Sequence, residues 1–315
     1  MSVPIRPPRC AWAARSCPTG SGRRLFTRNG PNVRGNYDGA RLVLRAQDWR
    51  IDTLAFRPVR VDAGPFDDGS LDAQTYGGVY ATGPIAALAP LRLDLYALHT
   101  HREGARFNQG SATERRHSLG ARAFGRDGSW DHDHEATLQW GRFGAASIAA
   151  WALASETGYT WPDARGKRRA SLRVTVGSGD RDAADASLQT FNSLFPRGGA
   201  VDDSFNVSAA NMTQVRLAMT VRPLPATEVT LALNTQWRTH LGDGMYGPGG
   251  GLLRGAGQSR ARHVCDGIDL FAAWNPHRNV AFELQAAHVR GRRFIADSGP
   301  NRSITSVQPT LHLRF

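Results

Sequence analysis

Arginines that recur at every second position, opposite apolar neighbours, offer the most chemistry in this chain. Across 212–222, Gln214, Arg216, Thr220 and Arg222 share one face, and Val215, Leu217, Met219 and Val221 share the other. Across 227–238, Thr230, Asn234, Gln236 and Arg238 oppose Val229, Leu231, Leu233 and Trp237. Ser171, Arg173 and Thr175 oppose Leu172, Val174 and Val176, and Arg41 and Arg45 oppose Leu42 and Leu44. A guanidinium stays charged and grips carboxylates through two parallel N–H bonds, so such a wet face points to an anionic partner. Arg41, Arg45, Arg50, Arg173, Arg216, Arg222 and Arg238 are the candidate contacts. Asp52, Asp94 and Glu283 are the acids expected to pair with some of them and fix their geometry.

A second candidate is the segment from 178 to 210. Asp180, Arg181, Asp182, Phe191, Phe195 and Arg197 lie on this long connection, which is expected to fold over or into a mouth and act as a gate. Its acids show too few oxygens at calcium-loop spacing to make a cation site. In Asp131-His132-Asp133-His134-Glu135, the histidines would share one strand face and the acids the other. A solvated rim explains that run better than a metal. Cys10, Cys17 and Cys265 form neither a disulfide framework nor a ligand set. Asn206-Val207-Ser208 and Asn211-Met212-Thr213 match a glycosylation pattern, which carries no functional assignment by itself. Neither a Gly-x-Ser-x-Gly nor a His-Glu-x-x-His motif is present, so no catalytic residue, cofactor or metal is assigned. The net charge of +12 is carried almost wholly by arginine, with Lys167 the single lysine. GC-rich codon usage also favours that bias, and no nucleic-acid-binding motif accompanies it.

The elements that must position these residues are strands. Alternation predicts them at 37–46, 49–58, 74–83, 91–101, 114–125, 131–140, 144–157, 168–177, 211–222, 227–238, 263–274, 279–290 and 304–315. Most have the length that crosses a bilayer when tilted. Short turns (47–48, 88–90, 126–128, 224–225, 275–278) alternate with long loops (59–73, 102–113, 178–210, 239–262, 291–303). Outer-membrane barrels connect their strands in this way. Only the short link at 141–144 breaks the rule. With 41% apolar residues and a mean hydropathy of −0.40, helical spans are excluded. A barrel is not, because only alternate residues face lipid. Trp49, Trp140, Trp151, Trp161, Trp237 and Trp274 near strand ends fit interfacial girdles. The terminal Phe315 closes the last alternating stretch, Leu311-His312-Leu313-Arg314-Phe315, as in barrels whose final aromatic is read by the barrel-assembly machinery. The expected fold is all-β: a transmembrane antiparallel up-and-down β-barrel.

Residues 1–24 are basic but lack the apolar core of a secretory signal, and thirteen strands is an odd number for a closed bacterial barrel. Both features lead to an expectation of missing N-terminal strands. Domain boundaries are set at 1–24, a non-homologous or disordered segment, and 25–315, the barrel.

From Arg28 onward the chain resembles the bacterial alginate export family. The resemblance rests on Arg28-Asn29-Gly30-Pro31-Asn32-Val33-Arg34, Tyr37-Asp38-Gly39-Ala40-Arg41-Leu42, Trp49-Arg50-Ile51-Asp52 and Arg57-Pro58-Val59. It continues in Gly177-Ser178-Gly179-Asp180-Arg181-Asp182, Thr190 to Gly198, Tyr246-Gly247-Pro248-Gly249-Gly250, Leu253-Arg254 and the C-terminal run. The resemblance implies a monomeric outer-membrane barrel of about eighteen strands, some thirteen of them present here. Its narrow, arginine-lined lumen would pass an anionic, alginate-like polysaccharide. The expected partners are that polymer, outer-membrane lipid and the assembly machinery, with no nucleic acid. An anion-selective diffusive porin is the alternative, and a barrel enzyme a more remote one.

Overall fold

The computed structural model describes the main chain of 9–12 and residues 36–62, 64, 67–164, 166–194 and 207–314. Thirteen long strands follow one another: β1 Tyr37–Ala46, β2 Trp49–Arg60, β3 Gln74–Pro84, β4 Arg92–Phe107, β5 Gly110–Asp127, β6 Trp130–Phe143 and β7 Ala146–Thr160. They continue as β8 Arg169–Gly177, β9 Met212–Val221, β10 Thr227–Arg238, β11 His263–His277, β12 Val280–Gly291 and β13 Ile304–Leu313. Each pairs antiparallel with the next, so sheet order equals chain order. A short strand, Arg9–Trp12, lines up against Ala40–Val43 of β1, within the segment expected to lie outside the barrel. The two ends of the sheet do not pair with each other among the described residues.

All thirteen predicted strands are present. One predicted long loop is not. Residues 102–113 continue β4 and β5 to a tight turn at Asn108-Gln109, with a register shift between Arg102 and Ala105. The ladder persists there, but the register shift breaks the period of two and the outer face is polar, with Ala105 and Phe107 packed inward, so alternation disappears from the sequence while the backbone pairing does not. The link after β6 is equally tight, with Gly144 at φ 55.

The sheet is inside-out relative to a water-soluble protein. Leu138, Leu119, Leu153, Leu217 and Leu233 lie more than half exposed on the outer face. On the inner face Asp94, Glu114, Arg116, Thr137, Gln139, Gln214 and Gln236 are buried. That arrangement is stable where the outer solvent is lipid. Aromatic pairs bracket the apolar band. Trp130 faces Tyr159 and Trp274 faces Phe282 toward the short-turn side, while His117–Trp140 and Trp237–His263 stack toward the long-loop side. Trp130 and Trp140 are ten residues apart on β6. At ~3.3 Å per residue and a tilt near ~40°, that spans about 25 Å of membrane.

Candidate functional site: the lumen and its inward loop

On the inner wall, five arginines meet five carboxylates across neighbouring strands. Arg41 and Arg50 both engage Asp52, at 2.8 and 3.0 Å. Arg122 of β5 bridges Asp94 of β4 at 2.9 Å and Asp133 of β6 at 2.7 Å. Arg169 of β8 reaches over β7 to Asp131 at 2.8 Å and also holds Glu156 at 3.0 Å. Glu156 takes Arg173 as well, at 2.7 Å. Asp94 is sealed from solvent and also accepts from the hydroxyls of Tyr80 and Thr82, both at 2.7 Å. Tyr96 crosses the face of β5 to donate to Glu135 at 2.8 Å. It can do so because the residue beneath it is Gly120, where a Cβ would lie 2.2 Å from the ring. The acids of the Asp131–Glu135 run thus face the lumen as part of an ion-pair belt, and His132 and His134 face outward with ring centroids 5.5 Å apart.

Above this belt, the connection after β8 turns into the barrel. Ser187–Leu188 pairs in parallel with Ser147–Ile148 of β7. Asn192 exchanges hydrogen bonds with the Gln139 amide of β6, at 2.8 and 3.0 Å. The Arg116 guanidinium of β5 donates to the Thr190 carbonyl at 3.0 Å. Asn192 donates to Glu114 at 3.1 Å, and Glu114 also holds Arg102 and Arg116. Leu194 then packs with Leu54, Tyr76, Tyr80, Tyr96 and Leu98 on β2 to β4. The loop has therefore travelled back along the inner wall from β8 to β2. Ser193 and Ser208 lie 3.1 Å apart, and Val207 packs with Val264 and Val289 on β11 and β12. The stem of the loop thus bridges two well-separated parts of the wall.

A second loop, after β10, locks the first. The buried carboxylate of Asp243 accepts from the Asp180 amide at 2.9 Å, the Thr190 hydroxyl at 2.6 Å and the Tyr246 hydroxyl at 2.5 Å. Burial raises the Asp243 carboxyl above its usual range. Asp180, fully enclosed and facing Asp243, is pushed up to about 6. Phe191 and Tyr246 pack with Phe107, Phe143 and Leu188. Asn211 donates to the carbonyls of His240 and Gly244, both at 3.0 Å. Gly179 lies flat against it, where a Cβ would fall 1.9 Å from the Asn211 amide oxygen.

The structure places the sequence candidates differently. Arg41, Arg50, Asp52, Asp94 and Arg173 join the belt, and Arg216 is buried on the same wall. Arg45 is exposed near the turn after β1, and Arg222 pairs with Glu228 at 2.6 Å at the short turn after β9, both at the rim. Glu283 meets His312 at 3.4 Å. Arg238 is spent differently. It is buried, stacks 4.2 Å from the Phe294 ring and donates to the carbonyls of Ser259, Ala261, Leu241 and Asp243, so it braces the second loop. Of the gate candidates, Asp180 and Phe191 are buried in the loop anchor. Arg181 and Asp182 line an open groove of about 880 Å³ at the mouth. Phe195 and Arg197 lie outside the described residues. Sequence reading missed Arg102, Glu114, Arg116, Arg122, Arg169 and Asp243.

The sequence profile of alginate export proteins matches residues 16–305. The chain belongs to the alginate export family. No curated protein shows a significant sequence match to it. Among solved structures, this family member is similar to the Acinetobacter baumannii channel OccAB3, at a TM-score of 0.60 and 8% identity, covering 92% of this chain and 71% of that one. Similarity to Pseudomonas aeruginosa OccK2 (OpdF) gives a TM-score of 0.58 at 12% identity, over 98% and 78% of the two chains. The same channel in complex with glucuronate gives 0.57 at 13%, over 96% and 78%. At such identities the likeness establishes the fold alone: an antiparallel β-barrel.

Proposed function

We propose that this alginate-export-family chain is a bacterial outer-membrane channel that passes an anionic, uronate-bearing polysaccharide through its lumen. The observation that carries this reading is the belt of guanidinium groups on the inner wall, each already oriented by a carboxylate. Such groups attract a polyanion yet hold each carboxylate weakly, because the incoming group competes with a resident one. The loop over 178–194, docked on Glu114, Arg116 and Gln139, is the gate. The glucuronate bound by OccK2 is a hexuronate, the chemical class of one repeat unit of such a polymer. Addition of oligouronates to one side of a planar bilayer should produce charge-dependent blockades of single-channel current. Current indifferent to oligouronate would sink the reading.

A second reading, an anion-selective diffusive porin for single uronates, is favoured by one feature. The loop stem spans from β2–β4 to β11–β12, which suits a small solute better than a chain while the loop stays docked. Equal conductance changes with monomer and polymer would select it.

A further inference from the structure

The outer face holds a cluster that the lumen does not use. β4, β5 and β6 bring His101, Arg115 and Arg142 into one cross-strand row, and His99, His117 and Trp140 into the row beside it. The His99 and His117 rings lie 4.8 Å apart, and His117 stacks on Trp140 at 5.7 Å. Both arginines point away from the lumen and are exposed. The next row toward the membrane centre is Ala97, Leu119 and Leu138, with the two leucines 51% and 60% exposed. His101, Arg115 and Arg142 therefore sit one aromatic row above the apolar band, on the long-loop side of the barrel.

The row carries an internal cost. Arg115 and Arg142 are direct register partners, and like charges opposite one another destabilise a sheet. Among the described residues, the carboxylate that meets this row is Glu103, 3.8 Å from His101. Arg142 spends one donor on the Ala145 carbonyl at 3.3 Å. An anion shared between the two guanidinium groups would remove the repulsion.

We propose that this patch binds a phosphorylated acyl glycolipid of the outer leaflet. Its phosphate lies between Arg115 and Arg142, a sugar face rests on His117 and Trp140, and acyl chains run over Leu119 and Leu138. Height in the membrane, charge and the adjoining apolar strip all match one amphiphile. The proposal uses the outer-membrane fold but not the identity of the cargo.

The test is native mass spectrometry of the full chain in detergent, titrated with bisphosphorylated lipid A and with its dephosphorylated form. Wild type should retain the phosphorylated lipid at least tenfold better. Arg115→Gln with Arg142→Gln should lower retention to the dephosphorylated level while single-channel conductance stays unchanged, since both residues face away from the lumen. Arg115→Lys with Arg142→Lys should restore binding, which separates lost charge from lost fold. Equal retention of both lipids by wild type, or undiminished retention by the Gln pair, would overturn the proposal. So would displacement of the lipid by millimolar inorganic phosphate, which would make the site one for free phosphate.

Discussion

Asp243 accepts the Asp180 backbone amide at 2.9 Å, so the loop that follows β10 holds the loop that follows β8 at its root. The same carboxylate takes the Thr190 hydroxyl at 2.6 Å, ten residues further along. One side chain thereby fixes both ends of the 180–190 segment, from which the loop continues along the inner wall.

That contact makes loop docking pH-dependent. Burial and the facing Asp243 push the Asp180 carboxyl up to about 6 from near 3.8, and Asp185 adds to the effect. The docked loop holds a proton that a released loop would give up, so docking is fully favoured below about 4. It weakens as pH rises toward 6. Hydrogen exchange at Thr190 to Leu194 should speed up, and conductance should rise, between pH 4.5 and 7. Asp180→Asn should keep the loop docked across that range. An Asp180→Asn protein with the wild-type pH profile would contradict the assignment.

Glu114 is the wall-side counterpart. It is buried and joins Arg102, Arg116 and Asn192. Glu114→Ala leaves two buried guanidinium groups uncompensated, a loss of about 3–5 kcal/mol when one partner of a buried pair is removed. The expected outcome is a loop that no longer docks, read as larger and noisier single-channel current and as new protease cuts within 181–194. Unchanged current would show that the loop does not limit the path.

In the belt, Arg122→Ala frees Asp94 and Asp133 together. The lumen wall then loses one positive charge and exposes two negative ones, so reversal potentials in a salt gradient should shift toward cation selectivity. Arg238→Ala, by contrast, should alter loop stability more than selectivity, because its donors serve carbonyls.

The outer face is tested by Leu153→Arg, because Leu153 pairs with Ala136, about midway along β6 between Trp130 and Trp140. Arginine on the lipid face near the membrane midplane costs about 2–4 kcal/mol, and less toward the interfaces. Urea unfolding of the protein in lipid bilayers should show a loss in that range. No loss would mean that this face does not meet lipid.

The strands were readable because lipid on one side and water on the other impose a period of two. Reading failed where that contrast fades. β4 extends past the apolar band, so Arg102 stands where both faces are polar and the chain reads as a loop, while Glu114 is only the first residue of a predicted strand. Arg116 and Arg122 lie on a predicted strand, but Arg115 and His117 on its outer face blur the alternation. The Asp131–Glu135 acids sit just after a short turn, where a solvated rim is the simpler reading, and Arg169 stands at the very start of its strand, where alternation has not yet built up. Asp243 lies in Leu241-Gly242-Asp243-Gly244, which has no period at all. Its role comes from tertiary contact with a loop more than fifty residues earlier.

The most direct test of the transport account is release of a fluorescent oligouronate from proteoliposomes that contain the protein. A neutral glucan of equal length and a single uronic acid serve as comparisons. The account predicts that the charged oligomer leaves at least tenfold faster than the neutral one, and faster still when Glu114→Ala undocks the loop. Release of the monomer alone, with the oligomer retained even in Glu114→Ala, would contradict it and leave a small-solute porin.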